Sequence, residues 1–147
     1  MKIALDTNLL VYAEGVDDPQ RQAAAEALLG RLPREDLVIS VQVLGEMYNV
    51  LGRRGMPRAQ ARAAVQTWQT SIPAMMTTSD TMNAALDLAE RHRLKVWDAV
   101  ILAAAAEAGC VLLISEDFQD GFVWNGVTVA NPFRSPLHPL LASALRR

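Results

Sequence analysis

Ile3-Ala4-Leu5-Asp6-Thr7-Asn8 stands at the beginning of the chain and decides how the rest is interpreted. The apolar run predicts a short buried strand over Lys2 to Leu5, and Asp-Thr-Asn predicts a helix-capping turn directly after it. A carboxylate, a hydroxyl and an amide therefore follow the strand together. If the strand belongs to a parallel sheet, this is the edge at which such sheets bind ligands.

The remainder of the chain supplies the other strands of such a sheet. Four further apolar runs predict strands, and Pro73 makes one of them short or an edge strand. Their positions are Leu37 to Ile39, Ile72 to Thr77, Val111 to Ile114 and Val127 to Ala130. Segments of helical character separate the strands, which favours parallel pairing with right-handed crossovers. We therefore expect an α/β fold, a three-layer α/β/α sandwich with a central, mainly parallel sheet of four to five strands.

The predicted helices have recognisable beginnings and ends. Ser40 can cap a helix that ends near Arg53, and Ser79 is expected to cap a later one. The other helices are predicted over Pro19 to Leu32, Ala59 to Thr70 and Val96 to Ala108. The helix after Ser79 is expected to bury one face, formed by Met82, Ala85, Leu86 and Ala89.

Composition narrows the class of protein. A chain of 147 residues, 51% hydrophobic and 20% charged, matches one ordinary globular domain. Its net charge of −2 argues against binding nucleic acid through overall charge, so any RNA contact must be local. No signal-peptide region or membrane-length apolar run is apparent, and we expect a soluble, cytoplasmic protein. The single cysteine, Cys110, is expected to be a buried structural thiol.

Four carboxylates, Asp6, Glu46, Asp98 and Asp117, are the candidate functional residues. Asp6 and Asp117 each follow a predicted strand, so both are expected at the ligand-binding edge of the sheet. Each aspartate alone has a structural explanation. Asp6 can cap a helix, Asp98 can favour the positive end of a helix dipole, and Asp117 can form a turn.

Glu46 is harder to explain structurally. It shares a helical face with Val43 and Val50, where a lone carboxylate is costly unless it is paired or bound to metal. Arg53 and Arg54 are about two turns away along the helix, too far for a simple ion pair. If the four carboxylates converge, each pair about 4 Å apart repels by roughly 4 kcal/mol, which a divalent cation would remove. Oxygen ligands without histidine or cysteine favour Mg²⁺ or Mn²⁺ over Zn²⁺.

These segments, in this order, resemble the PIN domain family, and most closely its VapC-type ribonuclease toxins from bacterial toxin-antitoxin pairs. The resemblance covers residues 1–133 and leaves 134–147 as a C-terminal extension, predicted to form a short helix. The matching segments are 3–8 (IALDTN), Ser40 with Glu46, 95–99 (KVWDA), 113–121 (LISEDFQDG) and 126–133 (GVTVANPF).

The resemblance implies a Mg²⁺-dependent endoribonuclease, with Mn²⁺ able to substitute. The family's four acids correspond to Asp6, Glu46, Asp98 and Asp117, which would bind one or two ions. The ions would activate a water for hydrolysis of RNA, leaving 5′-phosphate and 3′-hydroxyl ends. Supporting roles are implied for Thr7, Asn8 and Ser115. The family's spacing favours Asp117 over Glu116 as the acid that faces the metal, and Glu116 and Asp120 are interpreted as turn or supporting groups.

The resemblance also implies partners. They are an RNA substrate, an antitoxin, a second copy of the chain in a homodimer and a larger toxin-antitoxin complex, without a membrane. Basic residues near the cleft are candidates for RNA contacts, although a solvated helix surface explains each equally well. They are Arg53, Arg54, Arg58, Arg62, Arg91, Arg93 and Lys95. An antitoxin helix would fit a groove formed by Trp68, Met75, Met76, Leu28 and Leu29, although core packing explains most of them. Trp97 and Trp124 are assigned to packing.

Two alternatives remain at this point. A catalytically silent PIN-like module would bind nucleic acid or protein without cleaving it. An Mg²⁺-binding phosphoacceptor receiver domain also carries acids at the edge of a parallel sheet. That class expects a lysine on the last strands, whereas the lysines here are Lys2 and Lys95, which makes it the weaker alternative.

Overall fold

The strands form one sheet in which a single pair is antiparallel. A computed structural model describes residues 1–16 and 18–147, and within them the sheet has six strands in the order β3-β2-β1-β4-β6-β5. Only β5 runs antiparallel to its neighbour, β6. The strands are β1 (Ile3–Leu5), β2 (Leu37–Ser40), β3 (Ala74–Met75), β4 (Leu112–Ile114), β5 (Val123–Trp124) and β6 (Val127–Ala130). The three-layer α/β architecture expected from the sequence is confirmed.

Helices connect the parallel strands, because a parallel pair cannot be joined by a tight turn. The connection from β4 to β6 is the exception, since it contains β5 instead of a helix. The helices are α1 (Thr7–Ala13), α2 (Pro19–Arg31), α3 (Val41–Arg53), α4 (Arg58–Ser71), α5 (Ser79–His92), α6 (Val96–Glu107) and α7 (Pro139–Ala144), with a 3₁₀ turn at Arg34–Asp36. None of the helices in the described part of the chain has the length and apolar character needed to cross a membrane.

The core lies around β1, β2 and β4, whose residues are all buried. This explains why these strands appear in the sequence as unbroken apolar runs rather than as alternating ones. Helix α6 is buried from Ala99 through Ala105, and its small alanine side chains allow close packing against α5. The strand order reverses between β1 and β4, so the carboxyl ends of these two strands border the switch point of the sheet.

One strand was missed by the sequence analysis, so the expected count of four to five strands was too low. Strand β5 is only two residues long and pairs with β6 in a hairpin. The connecting residues, Asn125 and Gly126, have φ angles of 45° and 81°. An Asn-Gly pair with positive φ at both residues is the strongest short-range signal for a hairpin turn, and it was available in the sequence.

Three local predictions were wrong. Thr78, not Ser79, caps α5, because the Thr78 side chain accepts the N–H of Thr81 while the Thr81 side chain accepts the N–H of Thr78. Leu86 is 51% exposed, whereas Ala85 and Leu88 are fully buried in that region of α5. Trp97 does not pack into the core, since it is 50% exposed at the beginning of α6. Trp124 does pack against the core.

The C-terminal extension packs on the sheet through α7. Leu141 and Leu145 belong to the core cluster, and α7 contacts β4. Asp36 holds both ends of the chain: its carboxylate lies 3.3 Å from the Met1 amino group and 3.0 Å from the Arg147 guanidinium. Cys110 is buried, as expected, and burial raises the pKa of its thiol to about 11.

We predict that Thr78→Ala lowers the free energy of unfolding by about 1 kcal/mol, because it removes the side-chain cap of α5. Ser79→Ala is the matched control and should change the free energy of unfolding by less than about 0.5 kcal/mol. Urea denaturation followed by circular dichroism measures both. Equal losses in the two variants would contradict the assignment of the cap to Thr78.

Candidate active site

The candidate site lies at the switch point, where the ends of β1 and β4 adjoin. The N–H of Asp6 donates to the carbonyl of Ile114 over 3.1 Å, which continues the β1–β4 ladder to the first acid. Ser115 follows β4 and links the two chain segments: its hydroxyl donates to Asp6 and accepts the N–H of Asp117 over 3.1 Å. Asp6 and the segment carrying Asp117 are therefore held together by hydrogen bonds from two adjacent strands.

Asp6 is a buried carboxylate, with only 3% of its surface exposed. One oxygen accepts the N–H of Thr7 over 2.7 Å, which caps α1, and the other accepts the hydroxyl of Ser115. Burial raises the pKa of Asp6 to about 7, and the nearby charges of Asp117 and Asp98 add to the rise. The two hydrogen bonds oppose the rise without cancelling it. The site thus holds a carboxylate whose charge is poorly stabilised by the protein alone.

Asp98 and Asp117 belong to the same electrostatic cluster. Asp98 lies in the first turn of α6, and partial burial followed by the charges of Asp117 and Glu46 raises its pKa to about 6. Partial burial and the adjacent charge of Glu116 also raise the pKa of Asp117. Lys95 opposes the rise at both aspartates. The mutual repulsion anticipated from the sequence therefore operates in the folded chain.

Glu46 enters the site from α3 and is held by neutral donors rather than by arginine. The hydroxyl of Thr7 donates to one of its oxygens over 2.8 Å, and the side-chain amide of Gln42 donates to the other over 3.1 Å. Gln42 was not identified from the sequence, although it lies four residues before Glu46 on the same helical face. These two bonds fix Glu46 on the wall of the site, and Glu46 forms no ion pair with another residue within 1–16 and 18–147.

Asn8 lies between two neighbouring carboxylates. Its side-chain amide is 3.2 Å from Glu116 and 3.3 Å from both oxygens of Asp117. Glu116 also accepts the hydroxyl of Tyr12 and lies 3.4 Å from the guanidinium of Arg21. Glu116 is therefore engaged by donors from α1 and α2, which hold it away from the role assigned to Asp117.

Asp120 has a structural contact instead. Its carboxylate accepts the N–H of Asn131 over 2.8 Å and so closes the hairpin that contains β5 and β6. This contact agrees with the interpretation of Asp120 as a turn residue.

A pocket of about 220 Å³ opens between α1, α3 and the loop after β4. Its lining is Thr7, Asn8, Glu46, Asn49, Val50, Arg53 and Asp117, and we call it the acid pocket. Arg53 is thus the basic residue from the sequence prediction that lies on the wall of this pocket. Arg91 is instead paired with Asp87 over 2.9 Å, and Arg93 ends α5 in a left-handed conformation.

The chemistry of the donors fits a hard divalent cation, because all four acids offer oxygen and two have a pKa near neutrality. The positions of the four acids do not by themselves form a complete set of metal ligands. Within residues 1–16 and 18–147, no group of three or more acidic, histidine or cysteine side chains is gathered closely enough to hold a metal ion. Side-chain rotation would be needed to bring the carboxylates around one ion.

The raised pKa of Asp6 predicts an unusual pH dependence of stability. The folded protein holds this proton up to about pH 7, whereas the unfolded chain releases it near 3.8. The contribution of this proton to the free energy of unfolding is fully present below pH 3.8 and is lost as the pH rises through 7. In EDTA, the free energy of unfolding should therefore fall between these pH values, by up to about 4 kcal/mol from Asp6.

Asp6→Asn should flatten this dependence, and Glu35→Gln, at an exposed carboxylate in the 3₁₀ turn, is the matched control. Urea denaturation at a series of pH values measures the effect. A slope that is the same in Asp6→Asn and in the wild type would show that Asp6 does not titrate as argued.

Comparison with known proteins agrees with this fold. The family model described as PIN domain matches residues 3–119, which is most of the chain. Ribonuclease VapC24 of Mycobacterium tuberculosis is 26% identical over 141 residues, covering 86% of this chain and 97% of VapC24. The crystal structure of Mycobacterium tuberculosis VapC20, described as a sarcin-ricin loop cleaving toxin, has 28% identity and a TM-score of 0.71, covering 86% of this chain and 99% of VapC20.

A toxin-antitoxin complex from Klebsiella pneumoniae contains a chain with the same fold, at 21% identity and a TM-score of 0.67. The likeness covers 90% of this chain and 98% of that one. The extent of the family match and the agreement in fold lead to one conclusion: this chain belongs to the PIN domain family.

Proposed function

We propose that the protein is a Mg²⁺-dependent endoribonuclease and the toxin component of a type II toxin-antitoxin pair. The observation that carries the proposal is the cluster of Asp6, Asp98 and Asp117 at the switch point, each with a raised pKa. Perturbed carboxylates gathered in a cleft are typical of sites that bind metal or perform acid-base chemistry. The similarity to ribonuclease VapC24 supports RNA as the substrate.

The residues of the chain have separable roles in this proposal. The ion would be held by Asp6, Asp98 and Asp117, with Glu46 as a further ligand or as the group that orients the attacking water. When bound, Mg²⁺ would neutralise the clustered charges, activate that water and stabilise the charge that develops on the phosphate. Ser115 and the N–H of Thr7 keep Asp6 in one orientation, and the hydroxyl of Thr7 does the same for Glu46.

We also propose that an antitoxin helix binds a groove between α2 and α4, which has a volume of about 550 Å³. Leu29 of α2 and Trp68 of α4 lie on its walls, and the Trp68 indole donates to Glu14 over 2.7 Å. Leu28 and Met75, also considered from the sequence, are buried in the core. An apolar groove between helices suits an amphipathic helix, and similar chains occur in complexes with antitoxins.

A homodimer is proposed for the surface around the beginnings of α3 and α6. Val41 and Trp97 are 51% and 50% exposed there, and the two helices contact one another. Large apolar side chains that remain exposed near a functional edge favour contact with another chain. Such a dimer would place two candidate active sites on related faces.

We predict that the purified protein cleaves RNA at discrete positions when Mg²⁺ or Mn²⁺ is present, and that EDTA abolishes the cleavage. Asp98→Asn should reduce the rate by more than about 100-fold, because it removes a proposed metal ligand. Asp80→Asn, at an exposed acid in the first turn of α5, is the matched control and should retain activity. Sequencing of 5′-phosphate ends in total bacterial RNA locates the cuts.

Water attack on the phosphate with departure of the ribose 3′-oxygen gives the expected 5′-phosphate and 3′-hydroxyl products. Products ending in a 2′,3′-cyclic phosphate would contradict the mechanism, because they arise from attack by the ribose hydroxyl. Mg²⁺ binding measured by calorimetry, combined with no cleavage by the folded, antitoxin-free protein, would favour the silent binding module.

A further inference from the structure

A second cleft lies next to the acid pocket, between α3 and α4. It has a volume of about 310 Å³ and is lined by Tyr48, Asn49, Gly52, Arg53, Met56, Arg58 and Ala61. We call it the α3–α4 cleft. Asn49 and Arg53 line both this cleft and the acid pocket, so the two cavities adjoin. A molecule bound at the acids can therefore extend into the α3–α4 cleft.

The charge of the α3–α4 cleft is opposite to that of the acid pocket. Arg53 and Arg58 are exposed, and neither forms an ion pair with another residue in the described part of the chain. The lining residues include no acid. Two guanidinium groups without an ion pair suit the binding of phosphate, since each can donate several hydrogen bonds to phosphate oxygens.

Tyr48 gives the α3–α4 cleft a surface for an aromatic ligand. The residue is 38% exposed, and the nearby Met56 side chain is partly buried against the core. Bases of single-stranded RNA stack on such aromatic side chains, largely independently of sequence. Asn49, between the two cavities, offers an amide that can both donate and accept hydrogen bonds.

We propose that the α3–α4 cleft is a subsite for one nucleotide of single-stranded RNA, adjacent to the phosphodiester held at the acids. Arg53 and Arg58 bind the backbone phosphate of this nucleotide, and Tyr48 stacks on its base. The cavity volume is at the lower end of the range for small-ligand sites, which suits one nucleotide rather than a folded partner. The inference rests on the proposed ribonuclease function and specifies how its substrate is held.

The test compares variants of the α3–α4 cleft with matched controls. Tyr48→Ala should raise KM roughly 5- to 100-fold with little change in kcat, because one stacked base is lost, whereas Tyr48→Phe should resemble the wild type. Arg58→Ala should weaken RNA binding. It should also reduce the slope of log affinity against log salt concentration by the amount expected for about one phosphate contact. Arg31→Ala, at an exposed arginine that lines neither cavity, should change neither quantity.

Binding is measured separately from cleavage, by fluorescence anisotropy in the Asp98→Asn background. The probe is the RNA segment that the wild type cleaves. If the wild type cleaves nothing, the ribonuclease proposal fails, and a labelled oligouridylate then tests the subsite alone. Weaker binding in both Tyr48→Ala and Arg58→Ala, with Tyr48→Phe and Arg31→Ala unaffected, supports the subsite. Unchanged binding and KM in Tyr48→Ala, or equal losses in Arg31→Ala and Arg58→Ala, overturns it.

Discussion

The parallel pairing of β1 with β4 is the constraint on which the site depends. Ile3, Ala4 and Leu5 align with Leu112, Leu113 and Ile114, so both strands end at the same level of the sheet. The residue that follows each strand is polar. The hydrogen bond from the Asp6 N–H to the Ile114 carbonyl fixes the distance between the two strand ends. A register shift by one residue would reverse the side-chain directions along a strand and bury the wrong residues. The apolar core thereby specifies where the acids meet.

Burial in the core also makes the charged form of an acid in the site costly in free energy. Asp6 is buried beside two other carboxylates, and its pKa of about 7 means that the protonated and charged forms are about equally populated near neutral pH. Hydrogen bonds from Ser115 and Thr7 limit this cost but do not remove it. A fold selected for stability alone would replace such a carboxylate by a neutral group. The arrangement is understandable when a cation supplies the missing positive charge, and Lys95 supplies part of it from outside.

Sequence analysis identified the sheet and the acids because both depend on local patterns. The buried strands β1, β2 and β4 were recognisable as apolar runs, and Pro73 correctly indicated that β3 is short and at the edge of the sheet. The signal for β5, the Asn125-Gly126 turn, was present in the sequence and was overlooked, whereas the other features that were missed depended on tertiary packing. Neither the exposure of Trp97 nor the choice of Thr78 over Ser79 as a cap follows from residue type, because either serine or threonine can cap a helix. The bond from Gln42 to Glu46 requires knowing which face of α3 meets the site.

Glu116 and Asp117 show why adjacent acids of similar chemistry acquire different roles. Both follow β4, but Glu116 meets Tyr12 and Arg21, whereas Asp117 remains on the wall of the acid pocket. Arg21 also lies 4.2 Å from the centre of the Phe133 ring, so the cation that compensates Glu116 is itself held in place. The amide of Asn8 lies between the two carboxylates and limits their repulsion. Glu116 is thus tied to α1 and α2 by a hydrogen bond and an ion pair, and Asp117 stays on the pocket wall, where Lys95 offsets part of its charge.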